Sequence, residues 1–240
     1  MDKNCAEIKN GVLLKYIDKG VLPFPIGADI ISYEVNEIGE YAFKDCKEIQ
    51  ELYIPWYVKK IPETNFVDRS GVFKKMLQSP NFTIYGEKDT EAERVAKQAG
   101  VNFIETDIWK NDNKLYAYFG RSEKFVMPEG IGVVYGEIFS CAPHVVEVVL
   151  PSTLVVIFSR AFYNCKKIQK IIIPKNVSSL GSEVFKNCKN LSEVIFENGD
   201  TGLDNDCFIG CSDGLVVRAP SGGFGEKYAK KYKIKFEATK

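Results

Sequence analysis

Apolar and polar positions along the chain recur with a step of 23 residues. Phe139, Phe162, Phe185 and Phe208 keep that step, and so do the residues before them, Ile138, Ala161, Val184 and Cys207. Val134, Ile157, Leu180 and Leu203 form a third file. Pro128, Pro151 and Pro174 form a fourth, with Glu197 in the next proline place. Cys141, Cys165, Cys188 and Cys211 form a fifth, spaced 24, 23 and 23, the extra residue falling near Ala142-Pro143. Within one unit, Ile171 and Ile173 alternate with Lys170 and Ile172, the period-two signature of a strand with one buried face. Pro174 ends that strand because it has no N–H to give a ladder. A turn follows, then Val177 and Leu180, before Val184-Phe185 enters the core from the opposite side. So short a unit cannot bury its own apolar face. Copies must therefore stack, their strands parallel and about 4.8 Å apart, each reached by one full turn of chain. Such crossovers are right-handed as a rule. The pattern predicts an α/β repeat solenoid: a right-handed coil with a parallel β-sheet on one face and short turns or helical segments on the other.

The same unit appears earlier, since Ile38-Gly39-Glu40-Tyr41-Ala42-Phe43-Lys44-Asp45-Cys46 parallels the stretch from Ile157 to Cys165. Phe66 follows Phe43, and Ile61 follows Ile38, at the same step; then the pattern fades, with Arg69 in the expected cysteine place. A longer symmetry relates Ile84, Ala96, Val101 and Phe103 to Val217, Ala229, Ile234 and Phe236 by one offset of 133. Gly11–Tyr16 likewise resembles Asn113–Tyr118. The sequence thus predicts two repeat blocks, 1–105 and 106–240, each opening on a strand pair and closing on a helix and strand, joined as one continuous solenoid. The first carries a nine-residue insertion within 67–83. Phe43, Phe66, Phe139, Phe162, Phe185 and Phe208, with Cys141, Cys165, Cys188 and Cys211, are the expected core.

This pattern of Ile or Leu, a small residue, Ala-Phe, Cys, spaced apolars and Pro resembles a leucine-rich repeat of the BspA-like kind. Ile157–Pro174 and Leu180–Phe196 carry it, with variants at Val134, Leu203 and Ile38. Glu91–Ala96 and Gly225–Ala229 resemble that family's terminal helix. The resemblance implies a non-enzymatic module, surface-bound or secreted, that binds host proteins, matrix or other cells.

Composition narrows the chemistry further. Lys plus Arg and Asp plus Glu each total 32, which gives no electrostatic reason to expect nucleic acid or an anionic membrane as partner. No apolar run approaches the ~20 residues of a membrane helix, and the N-terminal residues show no secretory signal pattern. Seven cysteines cannot all pair within one chain, and no CxxC spacing marks a metal site; the odd count also suits a cytoplasm. The cysteine file reads as buried free thiols, with disulfide and metal ligation as the alternatives. His144 is the only histidine. It lies three residues from Cys141, but without an orienting carboxylate that pair does not make a nucleophilic site. Ser221–Gly225 lacks the phosphate-loop and dinucleotide patterns and reads as a turn into the closing helix. The six lysines after Phe224 read as a solvated face. No cofactor is expected.

The outward row of the long strands is the candidate site. Lys124, Glu147, Lys170 and Glu193 alternate in charge from strand to strand, which favours register. Beside them Val126, Val149, Ile172 and Ile195 form an apolar stripe that ends at Arg218. The stripe is read as a surface for a protein partner, with Lys170 and Glu193 steering, and Tyr53, Trp56 and Tyr57 as an aromatic patch on the equivalent face of the first block. Simple β-propensity on a solvated strand is the competing reading of the stripe. Carbohydrate or cell-wall binding through Trp56, Tyr57 or Trp109 is an alternative function. A hydrolase is disfavoured by the single histidine and the lack of a paired-carboxylate or metal motif.

Overall fold

The computed structural model describes residues 6–16, 35–43, 51–66, 82–139 and 142–239. Cys46, Cys141 and most of the inserted stretch lie outside the described residues. The chain divides into two compact units, Met1–Trp109 and Lys110–Lys240.

In the first unit, β1 (Ala6–Lys9) and β2 (Val12–Tyr16) form an antiparallel hairpin. Its turn residues Asn10 and Gly11 both take positive φ, the conformation that an Asn-Gly hairpin turn requires. β3 (Glu37–Ile38) lies parallel to β2. A second sheet runs in the order β4 (Glu51–Tyr53), β5 (Thr83–Gly86), β6 (Asn102–Glu105), all parallel. α1 (Glu91–Ala99) connects β5 to β6, burying Ala92, Val95 and Ala96 and ending at Gly100 in the left-handed conformation. These residues share one core with Leu13, Ile38, Phe43, Leu52, Phe66 and Ile84. Phe66 packs 6.3 Å from Phe43 and 6.2 Å from Phe82.

β7 (Ile108–Asn111) carries the chain into the second unit. There, long and short strands alternate: β8 (Lys114–Tyr118), β9 (Lys124–Val126), β10 (Val133–Val134), β11 (Glu147–Val149), β12 (Val156–Ile157), β13 (Lys170–Ile173), β14 (Ser179–Leu180), β15 (Glu193–Phe196), β16 (Gly202–Leu203) and β17 (Val216–Pro220). α2 (Phe224–Tyr232) and β18 (Lys235–Thr239) close it. The long strands pair in parallel, β9 with β11 and β13-β15-β17-β18 together. The short strands build their own parallel sheet through β8, β10, β12, β14 and β16. This second sheet occupies the face where turns were expected. With only two residues each, β10, β12, β14 and β16 carry too little alternation to be read from the sequence. Their buried members Val134, Ile157 and Leu180 face inward.

A third ladder follows the turn that holds the aromatic file. Arg160, Phe162 and Asn164 donate to the carbonyls of Ser182, Val184 and Lys186, each at 2.9 Å; Phe185 and Asn187 do the same to Cys207 and Ile209. The turn bends twice through the left-handed region, at Arg160 and Asn164, then at Glu183 and Asn187. Asn tolerates that conformation and glycine, at position 210 of the next coil, adopts it without cost; Arg160 and Glu183 do not. Hydrogen bonds on three sides of these two coils hold them there.

Inside, the phenylalanines form a continuous file. Phe139 to Phe162 is 5.3 Å, Phe162 to Phe185 5.1 Å and Phe185 to Phe208 5.5 Å between ring centres, and the last two pairs are stacked. Tyr118 closes one end edge-on at 5.8 Å and Tyr228 of α2 the other at 5.5 Å. α2 thereby covers the last ring, which no further coil follows within the unit. Each phenylalanine buries about 150–250 Å² and gains roughly 0.5–1.5 kcal/mol per ring pair beyond its area. Phe162→Ala is expected to lower unfolding free energy by about 3–5 kcal/mol in urea denaturation. A loss below about 1 kcal/mol contradicts a close-packed ring file.

Candidate functional site

The long-strand sheet of the second unit presents two outward rows. Phe125, Val148, Ile171, Val194 and Val217 point inward and are buried, so the residues on either side of them face out. One row is charged. Lys124 meets Glu147 at 2.7 Å and Lys170 meets Glu193 at 2.7 Å, whereas no ion pair links Glu147 to Lys170 among the described residues. The row thus divides into two pairs at the same place where the hydrogen-bond ladder stops between β11 and β13. On the far side, Glu193 also meets Arg218 at 3.1 Å, Arg218 meets Glu237 at 2.8 Å and Glu237 meets Lys235 at 2.7 Å. Charges of alternating sign therefore cross four strands. Lys235 and then Arg218 hold the Glu237 carboxyl below the usual carboxylate range. Exposed pairs of this kind add only about 0–1 kcal/mol each; their main effect is to fix register.

The second row is apolar. Val126 is 58% exposed, Val149 41% and Ile172 44%, while Ile195 is half-buried in register with Arg218. Ile172 and Ile195 are directly paired, as are Val126 and Val149. Parallel ladders fix the backbone of each pair, and between Val149 and Ile172 the stripe crosses the break between β11 and β13.

In the first unit the aromatic residues are placed differently from the expectation. Tyr53 occupies the outward row yet is only 6% exposed. Its ring stacks on Tyr85 at 4.3 Å and meets Trp109 at 6.2 Å, and both tyrosine hydroxyls donate to Glu51. Burial, followed by the Glu51 charge, raises both tyrosine pKa values. Tyr53 is therefore removed from the exposed patch by contacts made far along the chain, and Trp109 is buried with it. Trp56 and Tyr57 are half-buried and meet edge-on at 6.0 Å; Lys59 lies over the Trp56 ring at 4.8 Å, and Tyr57 packs against the core.

Cys165, Cys188 and Cys207 are free and buried, and Cys211 is free and half-buried. Cys188 donates to the Phe162 carbonyl at 3.0 Å and Cys211 to the Phe185 carbonyl at 3.1 Å, each one coil back. The neighbouring Cys165 thiol and burial push Cys188 strongly up, and burial pushes Cys207 and Cys211 up to about 12. Such thiols are poor nucleophiles. The pairing of His144 with Cys141 lies outside the described residues; burial lowers the His144 pKa. Among the described residues no His, Cys, Asp and Glu side chains gather as a metal site needs, and no helix is long and apolar enough to cross a membrane.

The glycine-rich loop before α2 is shaped by packing. A Cβ on Gly223 would stand 2.4 Å from the Gly199 carbonyl oxygen. The Phe224 N–H donates to that same oxygen at 2.8 Å and the Gly222 N–H to Glu226 at 2.6 Å, so two loop amides are already engaged.

One feature was not read from the sequence. Tyr116, Tyr135 and Phe158 form an outward aromatic stack on the short-strand sheet, with ring centres 4.6 and 5.1 Å apart, and Phe158 is 46% exposed. The repeat step between Tyr135 and Phe158 was the available signal.

Residues 28–116 and 110–219 match the family model of the BspA type leucine-rich repeat region, in 6 copies. No curated protein matches the chain. A leucine-rich repeat protein from Eubacterium ventriosum is similar at 20% identity, over 78% of this chain and 46% of its own, with a TM-score of 0.41. One from Bacteroides ovatus is 18% identical over 87% and 66%, with a TM-score of 0.41. The leucine-rich repeat protein of T. pallidum is 18% identical over 94% and 89%, with a TM-score of 0.34. The chain spans less than two thirds of the length of the first two.

Thiol accessibility tests the buried file. At mildly alkaline pH, peptides carrying Cys165, Cys188 and Cys207 should remain unalkylated in the native protein and react fully in denaturant; rapid native labelling of Cys188 contradicts its burial. The stability gained by keeping Cys207 and Cys211 neutral is complete below about pH 9, where unfolded thiols are still protonated. It should be lost progressively as pH rises toward about 12.

Proposed function

We propose, from the premise that the chain belongs to the BspA-type leucine-rich repeat family, that it is a non-catalytic recognition module binding a protein partner through the outward face of its long-strand sheet. Repeats of this family generally serve as protein-interaction or surface-associated modules. The observation that carries the reading is the file Val126, Val149, Ile172 and Ile195. It places β-branched side chains outward on two parallel ladders, beside a row whose charges are largely engaged with one another. Burying a side chain of that size fully contributes about 1.5–3 kcal/mol, and a preformed sheet loses little entropy when a partner covers it. Ile172 and Ile195 form the centre, Val126 and Val149 extend it, and Lys170 and Glu193 border it and orient the approach. Trp56 and Tyr57 of the first unit form a separate aromatic contact surface for a protein partner.

The partner is isolated by capture on the immobilised wild-type protein, and its affinity is then compared with that of a variant. Ile172→Glu should melt within a few degrees of wild type, because the side chain is exposed. It should weaken partner binding by roughly a hundredfold, because a carboxylate would be buried unpaired at the contact. Unchanged binding by a folded Ile172→Glu protein assigns the stripe to strand propensity alone. Capture of glycans with no captured protein would favour a carbohydrate-binding module instead.

A further inference from the structure

Among the described residues β18 pairs with β17 and with no second strand, so it is the open edge of the long-strand sheet. The register shows which of its backbone groups are free. In a parallel ladder one residue of each register pair bonds to the partner strand, and the other turns its N–H and C=O away. Val216 is in register with Lys235, and its N–H donates back to Ser192, before β15, at 2.9 Å. Lys235 therefore bonds to β17, as do Glu237 and Thr239 by alternation. The N–H and C=O groups of Phe236 and Ala238 face the open edge. Ile234 adds only its carbonyl there, because its N–H donates to Ala229 at 2.9 Å.

Side chains along this edge are incompletely covered as well. Val217 and Ala219 of β17 are buried, whereas Phe236 and Ala238, their register partners, are half-buried and exposed. On the outward face Lys235 and Glu237 stand two residues apart with opposite charge, and the Lys235 side chain is 67% exposed. An open edge of this kind is a template for a further strand.

The sequence of β18 fits its own copy laid antiparallel about a two-fold axis at Phe236. Phe236 then exchanges both backbone bonds with its counterpart, and each Ala238 N–H donates to the Ile234 carbonyl of the other copy. The same register sets Lys235 opposite Glu237 of the second copy, twice over, a favourable cross-strand pair. It also brings the two half-buried Phe236 rings together on the core side. Centring on Glu237 instead would face one carboxylate with another, and centring on Ile234 would face Lys235 with Lys233. Charge thus selects one register. β6, the equivalent edge of the first unit, lacks this match, since pairing about Phe103 would set Asn102 opposite Ile104.

We propose that β18 is a self-association edge, joining two copies of this chain into an antiparallel dimer centred on Phe236. The contact is isologous and consumes both edges, so assembly stops at two. Because the axis stands perpendicular to the sheet, the strands β13-β15-β17-β18 continue into those of the second copy with both outward faces on the same side. Two Ile172 stripes then share one surface. The dimer edge lies apart from the stripe, so either can stand without the other.

The test is sedimentation velocity of the full chain from about 1 μM to about 1 mM. Wild type should pass from monomer to dimer in that range, with amide exchange at Phe236 and Ala238 slowing as the dimer forms. Lys235→Glu and Glu237→Lys should each weaken self-association at least roughly tenfold, because each sets like charges opposite one another. An equimolar mixture of the two variants should recover the dimer, since two acidic positions of one copy then face two basic positions of the other. Ala238→Pro removes an edge-facing N–H without touching the β17 ladder; it should melt within a few degrees of wild type and remain monomeric. A wild-type monomer throughout the range, assembly beyond a dimer, wild-type dimerisation by any single variant, or a charge-swapped mixture that stays monomeric overturns the proposal.

Discussion

A coil of 23 residues holding one phenylalanine has no interior of its own. The ring acquires one only when the next coil lays its equivalent ring over it, and this stacking requirement organises the second unit. It sets the repeat length, because a coil of different length would displace Phe162 from Phe185. It makes the turns around Phe162 and Phe185 bend twice through the left-handed region, at some cost for Arg160 and Glu183 that hydrogen bonds to the next coil offset. It also explains the closing helix: the last ring, Phe208, needs a cover, and Tyr228 supplies it edge-on.

The same constraint separates structure from recognition. Side chains that point inward must fit between identical neighbours, so they vary little in size along each file. Outward positions carry no such requirement. On the long strands they hold alternating charges and a β-branched stripe; on the short strands they hold an aromatic stack that stops at Gly181. In the first unit the equivalent outward row is covered, because Trp109 and Tyr85 enclose Tyr53. The two units therefore use one coil design with different surfaces.

The files of Phe139 to Phe208 and Val134 to Leu203 were legible because identical coils repeat identical burial at a fixed step. The long strands were legible too: Ile171 and Ile173 alternate with Lys170 and Ile172 over enough residues to show a period of two. The short-strand sheet was not, since a pair such as Val156-Ile157 has no measurable period and pairs only through its neighbours in space. Tyr53 was misplaced for a related reason. Its cover, Trp109, stands far along the chain and outside the repeat, so no periodicity announces it. The ion pair of Arg218 with Glu237 was likewise invisible, because β18 joins the sheet after α2 and outside the repeat step. Phe158 belongs to a file that the sequence does contain, but only its stacking on Tyr135 beside the short strands shows that it faces outward.

Stacking in a continuous file requires energetic coupling between rings of adjacent coils, and a double-mutant cycle measures that coupling directly. Phe162→Leu and Phe185→Leu, singly and together, should show an interaction of about 0.5–1.5 kcal/mol in urea unfolding. The same substitutions at Phe139 and Phe208, three coils apart, should be additive within about 0.5 kcal/mol. Additive losses at Phe162 and Phe185 would contradict it, for the rings would then be buried independently instead of by one another.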